Sequence, residues 1–153
     1  MKHVIGLAVF LLMPALACPG NEAALRRVVA DKYSGDILKK MRIVLPGAVF
    51  LGSRPGSSQT LVAARYRVPG SRAASVEALL VGRYGMAPLR FACCGWESAR
   101  PGSPRKAEVF TVGGKQYSVD FAVNMFSDES LVRERSRWGK IPFFTIQVMV
   151  LHI

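Results

Sequence analysis

KAEVFTVGGKQYSVDFAVNM, residues 106–125, predicts a β-hairpin at the centre of the fold. Gly113 and Gly114 separate its two arms, and a two-glycine link favours the tight turns that join antiparallel strands. In the second arm apolar and polar residues alternate, which is typical of a strand with one buried face. The apolar set that we expect to face the core is Tyr117, Val119, Phe121, Val123 and Met125.

Further strands are predicted on both sides of this hairpin, because short runs rich in β-branched and aromatic residues are bounded there by glycine, proline and serine. They cover residues 48–53, 59–68, 89–96 and 141–153. Apolar residues at helical spacing predict a short helix over 35–41 and three longer helices. The longer ones run from Asn21 to about Lys32, from Ser71 to Gly85, and from Ser127 to about Trp138. The whole pattern predicts an α+β fold, with an antiparallel-rich sheet of about six strands and helices packed on one face.

The first seventeen residues have the three-part layout of a secretory signal peptide. Met1-Lys2-His3 is a basic start, residues 4–12 are an unbroken apolar run, and Ala15-Leu16-Ala17 has the small residues of a cleavage site. The apolar run is too short to span a bilayer, which takes about 20 apolar residues. We therefore expect residues 1–17 to be removed and residues 18–153 to form a single exported domain in the periplasm.

Cys18 directly follows the expected cleavage site and has two interpretations. Residues 15–18 are similar to a bacterial lipobox, in which the cysteine is lipidated, although Ala15 stands where lipoboxes usually carry leucine. In that case an outer-membrane anchor is expected, because Pro19 replaces the aspartate that favours retention in the inner membrane. In the other case Cys18 is an ordinary N-terminal cysteine, free or in a disulfide.

Cys93 and Cys94 are the other two cysteines and are candidates for a disulfide or a thiol site. In an oxidising compartment cysteines tend to pair, and an odd number leaves one modified, free or bonded to another chain. Three arrangements remain open: a bridge between the two, a bridge from one of them to Cys18, or burial as small apolar residues. A structural zinc site is not expected, since it takes four nitrogen or sulfur ligands and His152 is the only histidine after the leader.

The domain is strongly basic, with a formal net charge of +10 once the leader and its Lys2 are removed. A charge of this sign attracts polyanions. Export argues against nucleic acid, and the basic residues are scattered among the predicted elements without a nucleic-acid-binding motif. We therefore expect a protein partner with an acidic face in the periplasm or envelope, or an anionic membrane surface, and no nucleic acid.

Groups suited to catalysis are scarce. Nucleophilic hydrolysis needs a base beside the nucleophile, and the one histidine of the expected mature chain lies near the end of a predicted strand. No spacing brings two acids together, and we expect Glu77 to pair with an arginine. The acidic residues best suited to acid–base chemistry are Asp36, Glu77, Glu97 and Asp120. The two glycines of the hairpin are explained by its turn and not by a phosphate-binding loop. We expect no catalytic residue, no metal and no cofactor.

The most distinctive string of the chain is LRFACCGWE, residues 89–97. Small residues beside a tryptophan and a following acid suit the wall of a pocket or an interaction edge. The competing interpretation is a buried strand end, where Gly95 permits a bulge and Trp96 packs in the core. We take Trp96, Glu97 and Asp36 as the candidates for an interaction surface.

Four short motifs stand out along the chain: SGDIL at 34–38, ARYRV at 64–68, VEALL at 76–80 and, most specifically, CCGWE at 93–97. Together they resemble a family of small exported bacterial proteins classed as a domain of unknown function, over roughly residues 33 to 153. The resemblance implies a shared fold and export, and it implies no mechanism. It also implies a further cysteine near position 53. This chain has Ser53 there, so one of the adjacent cysteines lacks its usual partner.

These observations predict an exported, non-catalytic binding protein of the bacterial envelope, of the inhibitor or immunity type that masks another protein. Its affinity for an acidic partner should weaken with salt. One alternative is a structural lipoprotein of the envelope, anchored through Cys18, that contacts anionic lipid or cell wall. The other is a thiol-dependent enzyme or redox protein that uses Cys93 and Cys94, which requires a reactive thiolate.

Overall fold

The hairpin predicted at the centre of the fold is present in the structure, a computed structural model that describes residues 19–153. Its arms are β5, Glu108–Val112, and β6, Lys115–Phe126. Gly113 and Gly114 have φ angles of 56° and 74° in the connecting turn, a left-handed conformation that glycine adopts without steric cost. The longer arm, β6, is a central strand because it pairs with other strands on both sides.

Within residues 19–153, seven strands form one antiparallel sheet. Besides the hairpin, the strands are β1 Val49–Pro55, β2 Thr60–Pro69, β3 Leu89–Ala92, β4 Gly95–Ser98 and β7 Phe143–His152. Their order across the sheet is β1-β2-β7-β6-β4-β3, and β5 pairs with β6. The count exceeds six because the run over 89–96 is folded into two strands, so the prediction of one strand there is wrong.

Three α-helices and one 3-10 helix accompany the sheet in the described part of the chain. They are α1 Pro19–Tyr33, α2 Ile37–Lys40, α3 Gly70–Tyr84 and the 3-10 helix Arg135–Lys140. At the end of α3, Gly85 adopts the expected left-handed conformation and donates its N–H to the carbonyls of Leu80 and Val81. None of these helices is long and apolar enough to cross a membrane. The mixed α+β character predicted from the sequence is confirmed.

The helix predicted from Ser127 to Trp138 is wrong over most of its length. Residues 127–134 are irregular because their polar groups bond to β4 and the turn before it. Ser127 donates its backbone N–H to the carbonyl of Trp96 at 2.8 Å, and Ser130 donates to the carbonyl of Cys94 at 2.7 Å. Such tertiary hydrogen bonds override a helical pattern, and serine is a weak helix former that readily accepts them.

The core contains alternate residues of the three long strands. The apolar set predicted for β6 is part of it, with Tyr117 at its margin. The set from β2 and β7 is Val62, Ala64, Tyr66, Val68, Phe144, Ile146, Val148 and Val150. The ring of Tyr33 in α1 lies 5.2 Å from that of Phe121, and Trp138 in the 3-10 helix lies 5.0 Å from Phe144. Each fully buried side chain of this kind stabilises the fold by about 1.5–3 kcal/mol.

A charged cluster joins α1 to the hairpin. The carboxylate of Glu108 accepts hydrogen bonds from the Tyr33 hydroxyl at 2.6 Å, from Lys32 at 3.0 Å and from Arg105 at 2.6 Å. Burial raises the pKa of Glu108, but these hydrogen bonds and the two positive charges outweigh it and hold the pKa below the ordinary value. Burial, followed by the bond to Glu108, raises the pKa of Tyr33.

Because of this cluster, the free energy of unfolding changes with pH in the acidic range. Because the pKa of Glu108 is lower in the folded protein, its contribution is present above the ordinary value of 4.5 and is lost as the pH falls through the folded value. We expect Glu108→Gln to lower the free energy of unfolding by about 1 kcal/mol at neutral pH. Urea unfolding at a series of pH values should then show a shallower loss of stability in acid. An unchanged acid profile, compared with the exposed control Glu22→Gln, would contradict this assignment.

Candidate functional site

The adjacent cysteines form the turn between β3 and β4, and their sulfur atoms are bonded to each other. Ala92 pairs with Gly95 across this turn, and both Cys93 and Cys94 are exposed. Cys93 has a left-handed backbone with a φ of 54°, which a non-glycine residue adopts where its surroundings hold it. We refer to residues 92–95 as the cysteine turn. Cys18, the alternative bonding partner, lies outside the described residues.

The cysteine turn is held against the irregular loop 127–133. Gly95 allows a close approach, because a Cβ atom at this position would lie 3.0 Å from the carbonyl oxygen of Asp128. The backbone N–H of Trp96 also donates to the Ser127 hydroxyl at 2.9 Å. The loop therefore fixes the conformation of the turn, and Gly95 serves this contact, not the bulge predicted from the sequence.

Two depressions flank the cysteine turn, with volumes of about 420 and 410 Å³. The first is acidic, since Glu97, Asp128 and Glu129 line it. The second contains Phe91, the almost fully exposed Leu131 and both a base and an acid, Arg133 and Glu129. An acidic wall repels an acidic partner, so the first depression is a poor site for the partner that the net charge predicts. Within residues 19–153, no three histidine, cysteine or acidic residues are arranged to hold a metal ion.

Trp96, predicted as part of an interaction surface, is buried, with 5% of its area exposed. Its ring packs against Phe91 at 5.8 Å and Trp138 at 5.0 Å, and its Nε1 donates to the carbonyl of Val132 at 2.8 Å. Trp96 is buried and not on the surface because side chains alternate along β4, so that Trp96 faces the core and its neighbour Glu97 faces the solvent. Trp96 therefore supports the cysteine turn, and Glu97 is the member of the pair that is accessible.

Arg135 joins several elements beneath the cysteine turn. Its guanidinium lies 4.8 Å from the ring centre of Trp138 and 5.4 Å from that of Trp96. The same group donates hydrogen bonds to the buried carboxylate of Glu77 and to the carbonyl of Leu89. Glu77 also accepts the backbone N–H of Leu89 at 2.6 Å. We call Glu77, Leu89 and Arg135 the arginine clasp. The predicted pairing of Glu77 with an arginine is thus present.

Asp36 lies at the opposite end of the strand order from the cysteine turn. It caps α2 by accepting the backbone N–H of Lys39 at 3.1 Å, and it accepts the hydroxyl of Tyr66 in β2 at 2.9 Å. The Tyr66 hydroxyl in turn accepts the backbone N–H of Leu38 at 3.0 Å. Burial is the main cause that raises the pKa of Tyr66. Asp36 therefore joins α2 to the sheet, and the structure does not bring it together with Glu97.

An exposed apolar surface that the sequence did not indicate lies at the β1 end of the sheet. The exposed fraction is 82% for Val44, 61% for Val49, 48% for Leu51 and 36% for Phe50. β1 pairs with β2 on one side, and no strand among residues 19–153 pairs with its other side. We call these four residues and the open side of β1 the edge surface. Grouped apolar side chains at an open strand edge are typical of interaction sites.

Basic residues border the edge surface. A depression of about 230 Å³ is lined by residues that include Phe50, Lys39 and Asp36, whose carboxylate already accepts hydrogen bonds from Tyr66 and Lys39. A second depression, of about 190 Å³, is lined by residues that include Leu51, Arg54 and Arg65. None of the three cations forms an ion pair with another residue of the described chain. This end of the sheet therefore combines exposed apolar area with positive charge that an acidic partner can neutralise.

Comparison with known proteins finds a match for the segment that contains the edge surface and the cysteine turn. Residues 26–96 match the family model described as a domain of unknown function (DUF4952). The matched segment begins within α1, includes β1, β2, α3 and β3, and ends at Trp96, directly after the cysteine turn. No curated protein and no solved structure matches the chain. The resemblance to a family without an assigned function is thereby confirmed over residues 26–96, which are less than half of the chain.

Proposed function

We propose that this protein is an exported, non-catalytic binding protein of the bacterial envelope, which masks an acidic partner protein in the manner of an inhibitor or immunity protein. The observation that supports this function most is the edge surface, where exposed apolar side chains lie between cations that have no ion-pair partner in the described chain. Export is supported by the signal-peptide pattern of residues 1–17.

The apolar and the basic groups of the edge surface contribute in different ways. Burying the exposed area of Val44, Val49 and Leu51 against a partner yields about 25 cal/mol for each Å² removed from water. The cations speed the encounter with an acidic partner and orient it, and their effect weakens as salt rises. The formal net charge of +11 over the whole sequence acts in the same direction. We therefore expect a stoichiometric complex that forms at low salt and dissociates at high salt.

Affinity capture from native envelope extract tests this function. With the purified protein as bait, we expect one protein to be recovered in near-equal amount at low salt and released by a high-salt wash. A basic protein of unrelated fold is the control for adsorption through charge alone. Recovery of lipid or wall fragments only would contradict the proposal and favour a structural role in the envelope. Recovery of a partner that a thiol reductant releases and a high-salt wash does not would favour thiol chemistry at Cys93 and Cys94 instead.

A further inference from the structure

We propose that the partner supplies an extended, acidic segment that adds to β1 as a further strand of the sheet. This inference rests on the proposed function and names the place and the chemistry of the contact. Strand addition is a recurring mode of peptide recognition, in which backbone hydrogen bonds give affinity and alternate side chains give specificity.

The two ends of the sheet differ in their capacity to accept such a strand. At the β3 end, the N–H of Leu89 donates to Glu77 and the carbonyl of Leu89 accepts from Arg135. Side chains of the arginine clasp therefore occupy the backbone groups of Leu89 at that edge, which is one way in which native sheets protect their edges. At the β1 end, no strand of residues 19–153 covers the open side. An incoming segment would thus find backbone groups to pair with at β1.

The edge surface offers a different environment on each face of the sheet. Phe50 pairs in register with Tyr66, and their rings lie 5.4 Å apart on the core side. Arg65 precedes Tyr66 in β2 and therefore faces the other side, where it shares a depression with Leu51 and Arg54. A strand added to β1 would place its side chains alternately over these two environments.

The chemistry of the incoming strand follows from these environments. On the core side, Val44 and Phe50 favour an apolar side chain, with Lys39 and Asp36 at the margin. On the other side, Arg54 and Arg65 favour carboxylates, because neither has a carboxylate partner in the part of the chain that the structure describes. A segment that satisfies both sides alternates apolar and acidic residues.

The geometry of β1 also limits the length of the contact. The strand has seven residues, and its pairing register shifts between Phe50 and Gly52. Pro55 at its end has no backbone N–H to donate. Bulges and prolines at an edge interrupt a regular ladder. We therefore expect a short segment to bind, and we do not expect strand pairing that continues along the whole of β1.

A synthetic peptide provides the test. The probe is a fluorescently labelled peptide of about eight residues that alternates valine and glutamate, a length that suits strand addition. Its binding to the purified protein is followed by fluorescence anisotropy. We expect saturable binding that weakens at high salt, and no binding of a peptide in which lysine replaces glutamate.

Matched variants locate the contribution of the edge surface. Leu51→Asp and the double variant Arg54→Glu/Arg65→Glu should each weaken binding by at least about tenfold. Their controls make the same chemical changes at exposed positions outside the edge surface and should bind as the wild type does. The controls are Leu131→Asp and the double variant Arg83→Glu/Lys115→Glu. In amide hydrogen exchange, the peptide should slow exchange over residues 49–55 and leave residues 92–97 unchanged.

Several results would overturn the inference. These are absence of peptide binding, equal losses in the edge and control variants, and protection confined to the cysteine turn. A dimer of the free protein that Leu51→Asp dissociates would assign the edge surface to a second copy. Binding to phosphatidylglycerol vesicles that the edge variants abolish, without binding of the peptide, would assign it to the membrane.

The capture experiment separates this inference from the proposed function. If the Leu51→Asp variant recovers the same partner as the wild type, the partner docks elsewhere, and the strand-addition inference fails while the binding function stands. If the wild type recovers no protein, the proposed function fails, whatever the peptide does.

Discussion

Trp96→Ala is expected to lower the free energy of unfolding by about 3–5 kcal/mol. The ring is buried between Phe91 and Trp138, and its Nε1 donates to the carbonyl of Val132. These neighbours are held by strand pairing and by the stacked guanidinium of Arg135, so the cavity left by the ring cannot collapse freely. Urea unfolding followed by far-ultraviolet circular dichroism measures the loss without relying on the fluorescence of the deleted residue.

Two further variants show what the Trp96 ring contributes. Trp96→Phe keeps an aromatic ring and removes the hydrogen bond to Val132, so a smaller loss of about 1–2 kcal/mol is expected. Leu131→Ala, at an almost fully exposed position, should change the free energy of unfolding by less than about 0.5 kcal/mol. A loss below about 1 kcal/mol for Trp96→Ala would show that the ring does not support this part of the core.

Arg135→Ala is expected to destabilise the fold by about 2–4 kcal/mol. Without the guanidinium, the buried carboxylate of Glu77 has no cation beside it and the carbonyl of Leu89 has no donor. The stacking of Arg135 on Trp96 and Trp138 is lost as well. The Arg135 side chain is itself partly exposed, which places the expected loss below that of a fully buried ion pair.

A double-mutant cycle with Glu77→Gln isolates the pairing within the arginine clasp. Because each single change leaves the partner unsatisfied, the double variant should be less destabilised than the sum of the two, by about 1–3 kcal/mol. Arg137→Ala is the control, since Arg137 contacts the exposed Glu134 at 3.7 Å and should matter little. Additive losses for Glu77→Gln and Arg135→Ala would contradict the coupling that the geometry indicates.

The central strands could be predicted from the sequence because the alternation of apolar and polar residues along each strand indicates which of its faces is buried. In β6 and β7 every second residue is apolar, and the alternation matches the pleat of a strand with one buried face. The link between β5 and β6 was predictable for the same reason, since Gly113 and Gly114 suit a left-handed turn whatever surrounds them.

Prediction failed where distant segments decide the local structure. Ser127 and Ser130 belong to a stretch with helical spacing, but their backbone groups bond to Trp96 and Cys94. The run over 89–96 has the composition of a single strand, but it contains a turn with a left-handed Cys93, and the Cys94 carbonyl of this turn accepts the N–H of Ser130. Neither feature has a local signal, because each is a tertiary contact between segments about thirty residues apart.

In the candidate site, too, some features could be predicted from the sequence and others could not. Glu97 is exposed and Glu77 pairs with an arginine, as the sequence indicated, whereas Trp96 belongs to the core. The edge surface was not predicted, because the sequence indicates the strand β1 but not its position at the end of the sheet. An apolar run such as that at 48–53 is equally suited to a covered central strand, and the pairing of β2 with β7 leaves β1 at the end.

The partly covered edge at β3 has a consequence for how the sheet can be extended. A sheet with open edges can join copies strand to strand, and head-to-tail contacts of this kind propagate into fibres. In this strand order the arginine clasp occupies the outward-facing backbone groups of Leu89, so growth through β3 is disfavoured. Among residues 19–153, the outer sides of β1 and β5 are then the edges where a further strand has room to pair.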